Sequence, residues 1–278
     1  MSRFISKMGK QAFVLGFLLL AALGLRVFFF ASSLAYYPVS TDESITVLQA
    51  REILHGRFPL LFMGQPYLFP LESYLHAPLA AWMPANAFGA RYVSFLLGLL
   101  STGLGLLIFR RLGGFAKTWP GLLLLLFPSA YVLMLTAAYA LPGYSASIFL
   151  ATLGLFSLLE FARSDSPCFY WLAVAGFSSG LAFSGHMLTL PVLAVLLLAL
   201  VFSFRERSPV QLIQGMAVFG AAVSIGLIPH LLSRWLVAGA HQDVSGTFQL
   251  ADAWARVGPV LLKRALPVVL GLTPTFSP

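Results

Sequence analysis

Apolar positions run along this chain in long blocks instead of alternating with polar ones. Seven blocks approach the length of about 20 residues that a transmembrane helix needs. They cover roughly 12–34, 89–109, 119–138, 144–161, 169–184, 187–204 and 211–232. The fifth and sixth are joined at Ser184-Gly185-His186, the natural place for a turn within an apolar run too long for one straight span. The pattern predicts an all-α, polytopic integral membrane protein of about seven transmembrane helices. No strand-like alternation competes with it.

Composition narrows the class. Hydrophobic residues make up 59% of the 278 positions and charged residues 9%, against about 25% charged in a soluble domain. A water-soluble globule and a disordered chain are excluded. The single Cys168 excludes a disulfide framework and any paired-cysteine metal or redox motif. The formal net charge of +8 reports membrane topology and not nucleic acid. With the N-terminus inside, short cytoplasmic segments collect Arg3, Lys7, Lys10, Arg110, Arg111, Lys117, Arg163, Arg205 and Arg207. The outer cations are scattered over two longer stretches. This topology puts Asp42, Glu43, Glu52, Glu72, Asp243 and Asp252 outside, with all five histidines on or near the outer face. The available acid–base chemistry is concentrated there. The expected location is the bacterial cytoplasmic (inner) membrane.

The first outer loop, 38–88, carries the chemistry. Ser40 followed by Glu43 is a capping box that opens a helix, and Gly56 is its stop. A turn rich in Pro and aromatic residues leads to a second short helix, about 71–80, with Glu72 and His76 one turn apart. Both helices are expected on the membrane surface. Asp42 and Glu43 stand at the lipid–water boundary, where adjacent carboxylates must be paired, hydrated or used. The capping box accounts for Glu43 and leaves Asp42 free to face a cavity. Arg26 lies inside the first span, where an arginine needs a carbonyl, a headgroup or a functional partner. Arg91 and Arg234 flank the outer ends of the second and last spans. Gly176-x-x-x-Gly180 is a helix-packing pattern. His186 and His230 show no metal-ligand spacing.

Thr41-Asp42-Glu43, Gly64-Gln65-Pro66-Tyr67-Leu68 with Pro70-Leu71-Glu72-Ser73-Tyr74, and Ala90-Arg91-Tyr92 at the second span together resemble the GT-C glycosyltransferases. The nearest branch is the protein O-mannosyltransferase and aminoarabinose-transferase type, glycosyltransferase family 39 and its relatives. The resemblance implies a seven-span module over 1–232 and an outer C-terminal segment, 233–278, that ends as if truncated. It implies transfer of a sugar, with inversion, from a polyprenyl-phosphate donor to a hydroxyl acceptor on protein, lipid or glycan at the outer face. It makes Asp42 the base, beside Glu43. Candidate donor-phosphate ligands are Arg26, Arg91 and Arg234; candidate acceptor-groove residues are Glu72, Tyr67 and His76. A phosphate leaving group needs cations or a divalent metal and no acid, and no other cofactor is implied. Some relatives carry a second acid between the third and fourth spans. Here that loop, Ala138-Tyr139-Ala140-Leu141-Pro142-Gly143-Tyr144, has none, which weighs against a metal-dependent variant. The competing expectations are a transporter or flippase for a lipid-linked substrate and a non-catalytic, truncated membrane subunit.

Overall fold

The structure, a computed structural model, describes residues 2–65, 68–84, 86–113, 115–164, 168–204 and 208–236. Among the described residues the protein is all-helical. In chain order the helices are α1 (Ser2–Tyr36), α2 (Thr41–Leu54), α3 (Leu71–Ala80), α4 (Ala87–Arg111), α5 (Phe115–Leu126), α6 (Ala130–Leu133), α7 (Tyr144–Arg163), α8 (Phe169–Gly185), α9 (Leu190–Ser203) and α10 (Pro209–Leu236). A π-helix, Met134–Ala138, continues α6, and a 3₁₀ turn, Met187–Thr189, precedes α9.

All seven apolar blocks fold as helix, but among the described residues four helices are long and apolar enough to cross a membrane: Gly16–Tyr36, Ala87–Arg111, Tyr144–Arg163 and Pro209–Ser233. The other three fall short for local reasons. Proline lacks an N–H and disfavours helix in the residue before it. Phe127-Pro128-Ser129 accordingly breaks the third block between α5 and α6. The run 169–204 turns at His186, which caps the end of α8 and the start of the 3₁₀ turn. This leaves 17 residues in α8 and 14 in α9. The expected boundary at 232/233 falls inside α10, which continues to Leu236. Of the expected outer segment 233–278, residues 237–278 lie outside the described residues.

Small residues set the spacing between helices. A Cβ on Gly176 would collide with the Phe219 carbonyl, and one on Gly180 with the Val223 carbonyl. The small-residue pattern in α8 therefore serves close packing on α10. Ser184 Oγ adds a hydrogen bond to the Gly226 carbonyl, at 3.0 Å. Further along, Leu158, Phe161, Leu172, Leu196, Leu200, Phe204 and Phe219 form one buried apolar cluster. At that end Arg111 Nε lies 2.7 Å from Glu160 Oε1 as an ion pair, though not with hydrogen-bond geometry, and Arg163 donates to the Arg111 carbonyl.

The opposite end is built around the turn into α7. Gly143 precedes that helix at φ 81°, in the left-handed region, and an added Cβ would overlap the Gly185 carbonyl oxygen. Gly143→Ala meets both penalties, conformational and steric. It is expected to destabilise the fold by about 2–3 kcal/mol, the range of a strained backbone position plus an overpacked contact. Thermal unfolding in detergent, compared with Gly16→Ala, which has open space around its Cβ, checks this.

Candidate functional site

Four stretches of chain converge at this end: the exit of α1, the start of α2, the start of α4 and the loop after the π-helix. The entry to α2 follows its capping box. Ser40 Oγ accepts from the Glu43 N–H at 3.2 Å, and Glu43 Oε2 accepts from the Ser40 N–H at 2.8 Å. That geometry turns the Glu43 side chain inward, where it is fully buried.

Arg91, 1% exposed, meets it there. Its Nε donates to Glu43 Oε1 at 2.6 Å and Nη2 donates to Oε2 at 2.9 Å, a bidentate pair. The remaining guanidinium hydrogens go to the carbonyls of Ser33, Tyr37 and Pro38. Glu43 Oε1 also accepts from the Ala140 N–H at 3.1 Å. Burial pushes the Glu43 carboxyl up. The Arg91 guanidinium and the Ser40 and Ala140 N–H groups outweigh it and hold the carboxyl below its ordinary range. The pair thus joins α1, α2, α4 and the 139–143 loop through one buried charge contact. Arg91 has no hydrogen left for a phosphate. Its position answers to folding the site, not to direct donor binding.

Asp42, one residue earlier, remains half-buried at the rim. Gln65 Nε2 donates to its Oδ2 at 3.3 Å, from a tight turn held by the Phe62–Gln65 bridge. Oδ1 accepts no hydrogen bond among the described residues. The two adjacent acids therefore divide, with Glu43 committed to the interior and Asp42 presenting an oxygen outward.

Two aromatic residues that the sequence did not single out pack at the Arg91 side of the site. The Tyr37 and Tyr139 ring centroids are 5.4 Å apart, and the Arg91 guanidinium carbon lies 5.4 Å from the Tyr139 centroid. Tyr139 follows directly on the π-helix, whose last turn closes with its N–H on the Met134 carbonyl. Nothing local revealed Tyr37 as its partner.

Arg26 lies elsewhere in the fold. Its Nη1 donates to the carbonyls of Leu126 at 2.7 Å and Ala22 at 3.3 Å, and Nη2 donates to Leu125 at 2.9 Å. Nε finds no partner among the described residues. Helix ends leave carbonyls unpaired, and the break at Pro128 exposes those of α5. A cation there also suits the negative end of the helix dipole. Arg26 is thus the C-terminal cap of α5, with three of its N–H groups spent on backbone carbonyls and the residue 4% exposed.

Glu72 and His76 are on one face of α3, as their spacing requires, and both are buried. Glu72 faces the interior, and His76 lines only a small cleft. Glu72 caps α7 across the molecule: Oε2 accepts from the Gly143 N–H at 3.0 Å and Oε1 from the Ala146 N–H at 3.1 Å. Complete burial raises its carboxyl to about 7, and the N–H groups of Ala146, Gly143 and Ser145 only partly oppose the rise. His76 places Nδ1 3.0 Å from the Glu72 carbonyl and Nε2 2.9 Å from the Ala90 carbonyl. Neutral imidazole can donate to only one of these. Burial lowers its pKa even though both carbonyls favour the charged ring. The cleft beside it, lined by Val47, Ala50, Arg51, His76, Ala80, Met83, Pro84 and Gly89, holds about 10 Å³, room for a single water. Asp42 is not among its walls.

Tyr67 lies outside the described residues, and Arg234 is placed only by its backbone, on the last turn of α10. His186 stacks on Tyr144 with centroids 4.4 Å apart, and His230 meets Phe183 edge-on at 5.4 Å. No group of three His, Cys, Asp or Glu residues is arranged to hold a metal among the described residues. Compared with protein-family models, curated proteins and solved structures, the chain matches none.

Proposed function

We propose that the protein is a membrane glycosyltransferase of the GT-C type, akin to family 39, with its site at the Asp42 end of the bundle. In this reading the chain sits in the bacterial inner membrane with its N-terminus in the cytoplasm and Asp42 outside. The acceptor hydroxyl attacks the anomeric carbon of a polyprenyl-phosphate sugar, the carbon–oxygen bond to phosphate breaks, and polyprenyl phosphate leaves. The acceptor proton passes to Asp42 and the anomeric centre inverts. The observation that carries the reading is the division of the acidic pair. Glu43 is consumed by Arg91 and backbone N–H groups, while Asp42 keeps one carboxylate oxygen for a ligand and has the other steadied by Gln65.

The geometry revises the roles assigned to the cations. Arg26 and Arg91 are positioning residues, one for α5 and one for the Asp42 turn. Of the three arginines named for the donor phosphate, this leaves Arg234. Arg51 cannot replace it. It lies nine residues along α2 from Asp42, about 13.5 Å at the helical rise, too far for a phosphate bonded to the carbon under attack.

The test is turnover in membranes with radiolabelled polyprenyl-phosphate sugars and a crude acceptor extract. Wild type is expected to release polyprenyl phosphate and label an acceptor. Asp42→Asn, with the same shape and no basic oxygen, is expected to be slower by about 100- to 10,000-fold, the contribution of a positioned general base. Equal turnover by both chains would remove Asp42 from the chemistry. No turnover by a folded, inserted wild-type chain would sink the enzyme reading.

A further inference from the structure

We propose that Tyr37 and Tyr139 form a seat for a pyranose ring against the Glu43–Arg91 pair, at the end of the bundle that carries Asp42. The seat deepens the transfer reading above and rests on it only in taking the bound ring to be substrate.

The two rings meet at 58°, so together they make a corner instead of a flat stack. Tyr37 is half-exposed, at 50%, and Tyr139 is partly exposed. Neither phenol hydroxyl has a hydrogen-bond partner among the described residues. A pyranose offers matching chemistry. Its C–H groups form an apolar patch that packs on the electron-rich face of an aromatic ring, and its rim of hydroxyls seeks donors and acceptors. The corner supplies both.

The seat is also held rigidly, as a binding surface must be. The Arg91 guanidinium that packs against Tyr139 donates to the Tyr37 and Pro38 carbonyls as well, so one buried cation braces both sides of the corner. The π-helix ending at Ala138 sets Tyr139 at its place. Such irregular turns recur at functional sites. Burial and the neighbouring Tyr37 raise the Tyr139 hydroxyl above its ordinary pKa, outweighing Arg91, so it stays a neutral donor in the physiological range. Tyr36, one residue away and 81% exposed, shows the contrasting state. It packs on no other aromatic ring among the described residues and suits a lipid-facing belt position.

Saturation-transfer NMR on the full chain in nanodiscs tests the seat without needing turnover. The probes are the methyl glycosides of mannose, glucose and galactose. Saturation is expected to reach the ring C–H protons of at least one of them. Binding should be kept in Asp42→Asn, largely kept in Tyr139→Phe, and weakened about tenfold in Tyr37→Leu and Tyr139→Leu, the scale of one aromatic contact. Tyr37→Leu keeps an apolar side chain at a half-exposed position, so it reports on the seat even where Tyr139→Leu fails to fold. No saturation in wild type, or equal saturation in Tyr37→Leu, overturns the seat. The source of the ring follows from competition. Displacement by undecaprenyl phosphate carrying the bound sugar, but not by undecaprenyl phosphate alone, assigns the seat to the donor. Displacement by the matching disaccharide, but not by the lipid-linked sugar, assigns it to the acceptor. Glycoside binding in a chain that turns over no donor would keep the seat and overturn the transfer reading. Turnover unaffected by either tyrosine would do the reverse.

Discussion

Arg91→Ala is expected to remove about 3–5 kcal/mol of stability, the cost of breaking a buried pair by deleting one partner. The loss has three parts. Glu43 keeps its charge in a fully buried site. The carbonyls of Ser33, Tyr37 and Pro38 lose their donor together. Tyr139 loses the cation against its ring. Arg91→Lys should recover little, because an ammonium cannot make a bidentate pair and serve three further carbonyls from one planar fork. Thermal unfolding of the detergent-solubilised chain measures the loss, and protease cleavage between α1 and α2 locates it. A variant that melted within about 1 kcal/mol of wild type, the scale of an exposed ion pair, would contradict the buried geometry.

The second large effect is a pH dependence owed to Glu72. Its carboxyl is raised from an ordinary 4.5 to about 7, first by burial. Between those values the folded protein holds a proton on Glu72 that the unfolded chain has released. Stability supplied by this group is therefore full below about 4.5 and declines as pH rises to 7, by on the order of 3 kcal/mol. His76 works in the opposite sense. Its folded pKa is depressed, first by burial, so its contribution is present above its unfolded value of about 6.5 and is lost as pH falls. The wild-type profile alone mixes the two. Glu72→Gln separates them, since glutamine does not titrate. The stability of wild type relative to Glu72→Gln should be greater at pH 5 than at pH 8. Parallel profiles would show that Glu72 is charged throughout or reached by water.

How far the sequence disclosed all this depended on the span over which each signal acts. The Ser40–Glu43 box, the helix at 71–80 and the turn at His186 are local, and each formed where its residues predict. The break in the third block was marked by Pro128, but the apolar run around it reads as a single span. Arg26 advertised the need for a partner in an apolar helix without revealing that the partner was the loose end of α5, about a hundred residues on. Glu43 was readable as a cap, but its pairing with Arg91 joins positions 48 apart. Glu72 left a subtler trace. The start of α7, Pro142-Gly143-Tyr144, carries no capping side chain of its own, so its N–H groups had to be met from outside. A lone acid on another short helix met them. The Tyr37–Tyr139 corner left no trace, because it depends on a cation held by a third residue.

The contact between Arg26 and α5 bears on how the chain assembles. For a chain inserted during synthesis, the first helix enters the bilayer with its arginine unsatisfied until the Leu125 and Leu126 carbonyls emerge. At about 5–20 residues per second, roughly a hundred residues take about 5–20 s. An unpaired arginine at that depth costs about 2.5–3.5 kcal/mol on insertion scales. During this interval the first helix is a provisional occupant, free to tilt or to rest against the insertion machinery. Only completion of the third apolar block fixes it. The order of synthesis is thereby written into the fold, since the N-terminal helix is the earliest made yet is secured only after two further blocks have followed it.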